Sequence, residues 1–222
     1  MGCPRRSRRL TPCRIPCLMP RLPDDFDDDD DRFDPDHPLA DQPALAAVAR
    51  FARMLETIPW FSRVGDRLDA DDRTAAEDYL SALGFPGAAV VPVGDWYEAA
   101  DCAEALDMHS LSWEEEEHLR AVAHETALEI TDEEALDVAL SHVAHQAASL
   151  VGPAAVLSMR VGGLDDEALA RAAAGHAVQA CHQAALVLAA GLGAEHPFAL
   201  KFRLYERGRW PVSITGESFN LF

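Results

Sequence analysis

The sequence predicts a mainly α protein, a multi-helix bundle closed by a small C-terminal β-hairpin. Three observations carry that fold class. The stretch from Ser112 to Ala190 holds three consecutive segments with helical apolar spacing. The last of them is alanine-rich on nearly every face, and a helix apolar all round is a buried one. Beyond Trp210, residues Val212, Ile214, Phe219 and Leu221 alternate on either side of Thr215-Gly216-Glu217-Ser218, the pattern of a hairpin.

In chain order, residues 1–40 read as a disordered leader, basic and then acidic. The sign of the charge changes at Met19, which is the expected start of translation as an alternative to Met1. Met1-Gly2-Cys3 has Arg6 where a myristoylation signal needs Ser or Thr, and no apolar stretch follows Arg8-Arg9 before Pro20. Counted from Asp27, the aspartate run puts Arg32 and Pro38 where a calcium loop needs glycine and glutamate. Like charges this dense resist burial, hence disorder.

Residues 41–222 read as a single helical domain. Asp41 caps a first helix with Pro43 in its first turn, and Leu45, Val48, Ala49, Ala52 and Leu55 form its inner stripe. Trp60-Phe61 makes a hydrophobic corner. Asp69 caps a second helix, through Tyr79, Leu80 and Leu83, which Gly84 stops. Ala88–Val93 reads as a short strand that Pro92 confines to a sheet edge. Asp95 caps a helix reaching Leu106. Ser112 and Glu115 form an expected capping box, with Leu119, Val122, Ala123, Thr126 and Ile130 facing the core. Thr131 and Glu134 form another, opening a stripe of Leu136, Ala139, Leu140, Val143, Ala147 and Leu150 that Gly152-Pro153 ends. Asp165 caps the alanine-rich helix, 166–190, whose small side chains suit a central position. For 197–207 two periods compete. Phe198, Leu200, Phe202 and Leu204 alternate, whereas Pro197 can open a helix with Phe198, Phe202 and Tyr205 on one side, and helix is the preferred reading.

The formal charge of −19 is unusual for 222 residues. Between Thr74 and Met159 stand 17 acidic residues and one basic one, Arg120, a balance that repels nucleic acid and anionic membrane and attracts a basic partner. The 5 cysteines form no paired spacing, which fits a reducing, cytoplasmic setting, and no segment is apolar enough to span a membrane. Among C-terminal residues, Lys201, Arg203, Arg207 and Arg209 are expected to pair with the protein's own carboxylates rather than with nucleic acid.

Reaction signatures are missing. His124-Glu125 begins a zincin pattern that Leu128 breaks, and Glu115-x-x-His118 stands alone. Cys181 and His182 are neighbours that a helix turns about 100° apart, so they are not a nucleophile and its base. No Gly-x-Ser-x-Gly, dinucleotide or Walker motif occurs. The expected function is therefore non-catalytic binding or regulation of another, basic protein, with no cofactor; the alternative is a metal-dependent helical-bundle enzyme using His142, His145 and His176. The binding residues expected are His176, Gln179 and Gln183, which share one edge of a buried helix and must find partners there, in a polar network or a ligand.

Overall fold

The computed structural model describes residues 43–105 and 109–222. The expectations at 1–42, including the leader and the Asp41 cap, and at Leu106 lie outside the described residues. The order is α1 (Pro43–Met54), α2 (Ala70–Leu83), β1 (Ala89–Pro92), α3 (Trp96–Glu104), α4 (Leu111–Leu128), α5 (Glu133–Val161), α6 (Glu167–Ala189), α7 (Pro197–Glu206), β2 (Pro211–Thr215) and β3 (Ser218–Leu221). The chain is mainly α with a C-terminal β element, as its sequence predicts. The described residues all fall in one compact unit.

Alanine places α6 at the centre, where it packs on α1, α4, α5 and α7. Around its C-terminal half, Leu45, Val48, Phe51, Leu136 and Val143 form one part of the core. A second part gathers Phe61, Trp96, Met159, Trp210 and Phe222 around its N-terminal half. A third lies between α2, α7 and the sheet, with Tyr79, Leu80, Leu204 and Phe219.

The hairpin β2–β3 is joined by β1, which runs parallel to β3 in the order β1-β3-β2 and pairs Ala89 with Ser218 and Pro92 with Leu221. Pro92 thus stands on an edge strand, the position its missing N–H allows. Residues 197–206 are helical, with Pro197 in the first turn and His196 Nδ1 accepting from the Phe198 N–H at 3.2 Å.

Local departures from the sequence reading have identifiable causes. α4 is capped by Ser110, whose Oγ accepts from the Trp113 N–H at 3.3 Å, so Ser112 and Glu115 lie inside the helix and form no capping box. Its buried face is Glu116, Ala123 and Ala127, while Val122 and Ile130 are exposed. The buried stripe keeps Ala123 and is turned by roughly 60° from the expected one. Ala123 and Ala127 let α4 come close to α6, and Glu116 adds a carboxylate to the buried face. α5 is capped by Asp132 in place of Thr131, and α6 by Asp166 in place of Asp165, which pairs instead with Arg160 at 3.3 Å. Gly152-Pro153 does not end α5, which runs on to Val161 because Val151, Ala155 and Met159 continue its buried stripe. That packing outweighs one lost backbone hydrogen bond and the ring's steric cost.

A buried ionic lock ties the C-terminal region to α2. Arg209 and Asp72 are both fully buried. Arg209 Nη2 donates to Asp72 Oδ2 at 2.7 Å and to the Arg67 carbonyl, Nε donates to Asp72 at 3.2 Å, and Nη1 donates to the Arg63 and Asp66 carbonyls. All five guanidinium N–H groups are thereby used. Arg207 Nε donates to the other Asp72 oxygen at 2.7 Å, and Arg63 and the backbone N–H of Asp69 add further donors. These hydrogen bonds, led by those from Arg209 and Arg207, outweigh burial and hold the Asp72 carboxyl down at about 2. Gly208, just before Arg209, has φ +75, and a Cβ there would stand 2.5 Å from Ser62 Oγ, so only glycine fits the turn.

Candidate functional site

A second polar cluster opens to solvent. A cleft of about 60 Å³ lies between the start of α4, the middle of α6, α7 and the sheet. Its floor is Glu116, which is nine-tenths buried and accepts four hydrogen bonds from three side chains. Tyr79 OH donates to Oε1 at 2.6 Å, Lys201 Nζ reaches both oxygens at 2.8 Å, and Gln183 Nε2 donates to Oε2 at 3.3 Å. Burial alone would raise the Glu116 carboxyl, but the Lys201 charge and the hydrogen bonds prevail and hold it below its ordinary value. Burial and the Glu116 charge push Tyr79 well up, so its hydroxyl remains a donor.

His176 and Gln179, one turn apart on α6, line the cleft above this floor, and Gln183 lies beneath it. His176 Nδ1 accepts from Trp210 Nε1 at 3.3 Å, which assigns the neutral ring's proton to Nε2. Burial first, and then the Lys201 charge, lower His176 to about 4. The mouth belongs to α4, where Ser110 and Ser112 hold their hydroxyls 3.2 Å apart beside Trp113. The sheet supplies an apolar wall with Val212, Ile214 and Phe219. Beneath the cleft, Gln183 Oε1 and Tyr205 OH are buried without a hydrogen-bond partner among the described residues.

The three residues expected on one edge of α6 thus meet a polar cluster on that edge. Glu116, Tyr79 and Lys201 escaped the sequence reading. Glu116 is one of four consecutive carboxylates, and nothing in the run distinguishes the one that turns inward. Two signals were present: a tyrosine on a buried stripe needs a partner for its hydroxyl, and Lys201 is the only lysine in the chain.

The alternative metal set is not brought together. His142 and His145 are exposed on α5, while His176 is engaged with Trp210 on α6. Among the described residues no group of three or more His, Cys, Asp or Glu side chains is placed to hold a metal ion. Cys181 is fully buried away from the cleft, and burial pushes its thiol up to about 12. The C-terminal cations find carboxylates inside the chain, as expected: Lys201 takes Glu116, Arg203 takes Glu195 at 3.7 Å, and Arg207 and Arg209 take Asp72.

A corner of the surface combines both features that the sequence places on α4 and α5. Glu125, Glu129, Asp132, Glu133, Glu134 and Asp137 are exposed there, together with the apolar Val122, Leu128, Ile130 and Val138. No helix among the described residues is long and apolar enough to cross a membrane.

No family model matches the chain, and no curated protein or solved structure matches it either.

Proposed function

We propose that this chain is a non-catalytic binding protein of regulatory type, which holds a small polar ligand in the α4–α6–α7 cleft. The observation that carries this reading is the direction of every resolved titration shift in and under the cleft. Glu116 and His176 are moved down, and Tyr79 and Tyr205 are moved up. A general acid or base works best with its pKa near the working pH. These groups are driven away from neutrality, each fixed in one protonation state, as suits recognition by constant donors and acceptors. The acidic, partly apolar corner of α4 and α5 supports a basic protein as the partner that reads the bound state. The unpaired thiols of Cys102 and Cys181 fit a cytoplasmic location.

A thermal-shift screen of the purified full chain against small polar solutes tests the proposal, with each stabilising solute re-examined by NMR after long incubation. A solute that stabilises the protein and is recovered unchanged is the expected result. Conversion of that solute by the wild type but not by Glu116→Gln would overturn it. A stoichiometric transition metal in the purified protein would also overturn it, in favour of the metal-dependent enzyme.

A further inference from the structure

We propose that the ligand of the cleft is a small neutral polyol, a molecule of about glycerol size carrying adjacent hydroxyl groups. The proposal rests on the cleft being a binding site. Charge narrows the class first. Lys201, the one cation at the cleft among the described residues, is bound to both oxygens of Glu116, and that carboxylate is matched by Lys201 in turn, so neither charge is free to select an ion. An anion would have to approach the buried Glu116 carboxylate, and a cation the Lys201 ammonium.

Hydrogen bonding narrows it further. His176 Nε2–H offers a donor with no partner among the described residues, because only Nδ1 is engaged. The Gln179 amide has no hydrogen bond among the described residues and supplies both a donor pair and an acceptor. The hydroxyls of Ser110 and Ser112 give and accept. A lining that mixes donors and acceptors at zero net charge is matched by groups that do both at once, which is the property of a hydroxyl. Trp113, on the same wall, offers an aromatic face for the C–H side of such a molecule. The volume sets the size: at about 10–15 Å³ of cavity space for each water-sized group, the 60 Å³ of the cleft accepts a handful of such groups.

Saturation-transfer NMR on the full chain tests this, with glycerol and erythritol as probes and with phosphate, glycerate and ethanolamine as competitors. Transfer to the polyol C–H protons is expected, unaffected by any of the three ions. Gln179→Leu should weaken binding by about tenfold, the effect of one lost hydrogen bond, with circular dichroism unchanged. Ser112→Ala gives a second, smaller reduction if Gln179→Leu does not fold. Absence of transfer, equal transfer in the variants, or displacement by phosphate, glycerate or ethanolamine would each overturn the polyol assignment. Binding of a different solute that Gln179→Leu abolishes would overturn the assignment and leave the binding reading intact. Slow conversion of a bound polyol would do the reverse.

Discussion

The Asp72–Arg209 lock and the Glu116–Lys201 cluster are each built on a buried carboxylate that C-terminal cations hold, Asp72 by Arg207 and Arg209 with Arg63 and the Asp69 N–H, and Glu116 by Lys201 with the neutral donors Tyr79 and Gln183. They differ in completeness. Arg209 has no N–H left over, and Asp72 is closed from solvent on every side. At the cleft, His176 Nε2–H, Gln179 and, below them, Gln183 Oε1 have no partner among the described residues. A closed cluster fixes geometry, whereas an open one keeps hydrogen-bonding capacity for something else. That contrast, more than the presence of buried charge, separates a structural element from a candidate site.

The largest effect is expected from Asp72→Asn, which leaves Arg209 as a buried charge without its counterion. A loss of roughly 3–5 kcal/mol is expected from urea unfolding. A loss below 1 kcal/mol would mean that the carbonyl acceptors alone hold Arg209 and that the lock is not ionic in origin. The two clusters should also separate in pH. The folded His176 lies at about 4, below its ordinary 6.5, so the unfolded chain binds more protons and stability falls as pH drops from about 6.5 to 4. The depressed Asp72 contributes stability that is present above about 4 and lost as pH falls towards 2. His182 and His196 are also lowered by burial, so the readout is the difference between wild type and His176→Gln. That variant should remove up to about 3 kcal/mol of the upper slope and none of the lower.

Glu116→Gln should cost less than Asp72→Asn, about 2 kcal/mol, because the freed Lys201 can turn its ammonium to water in the cleft. Equal costs would show that the cleft is as closed as the lock. The smallest change, Tyr79→Phe, removes one hydroxyl donor from a carboxylate with other donors and should cost about 1 kcal/mol, read as a small fall in melting temperature.

Legibility in the sequence followed the physics of each element. Helices with long apolar stripes, the Asp69 and Asp95 caps, the Gly84 stop at φ +95 and the Pro92 edge strand rest on local chemistry and are found where that chemistry puts them. The α4 stripe, and the passage of α5 through Pro153, were decided by distant packing that no window of residues contains. Half of the candidate site was legible for the same reason. His176, Gln179 and Gln183 share one helix edge, so their periodicity reveals them. Glu116, Tyr79 and Lys201 come from three other helices, and only the fold brings them to one point.

The parallel pairing of β1 with β3 has a consequence for how the molecule assembles. Ala89 must find Ser218, 129 positions along the chain (218 − 89), whereas β2 and β3 meet across a two-residue turn and α5 and α6 are sequence neighbours. Contacts between near neighbours form quickly, and closing a long loop is slow. The helical hairpin and the β2–β3 hairpin are therefore expected early, and the docking of β1 with its flanking helices late. The cleft draws its floor from α2, α4 and α7 and its apolar wall from the sheet. It is a kinetic latecomer, present only when the most distant parts of the chain have met, and a slow phase in Trp113 fluorescence after the helical signal is complete would report its closing.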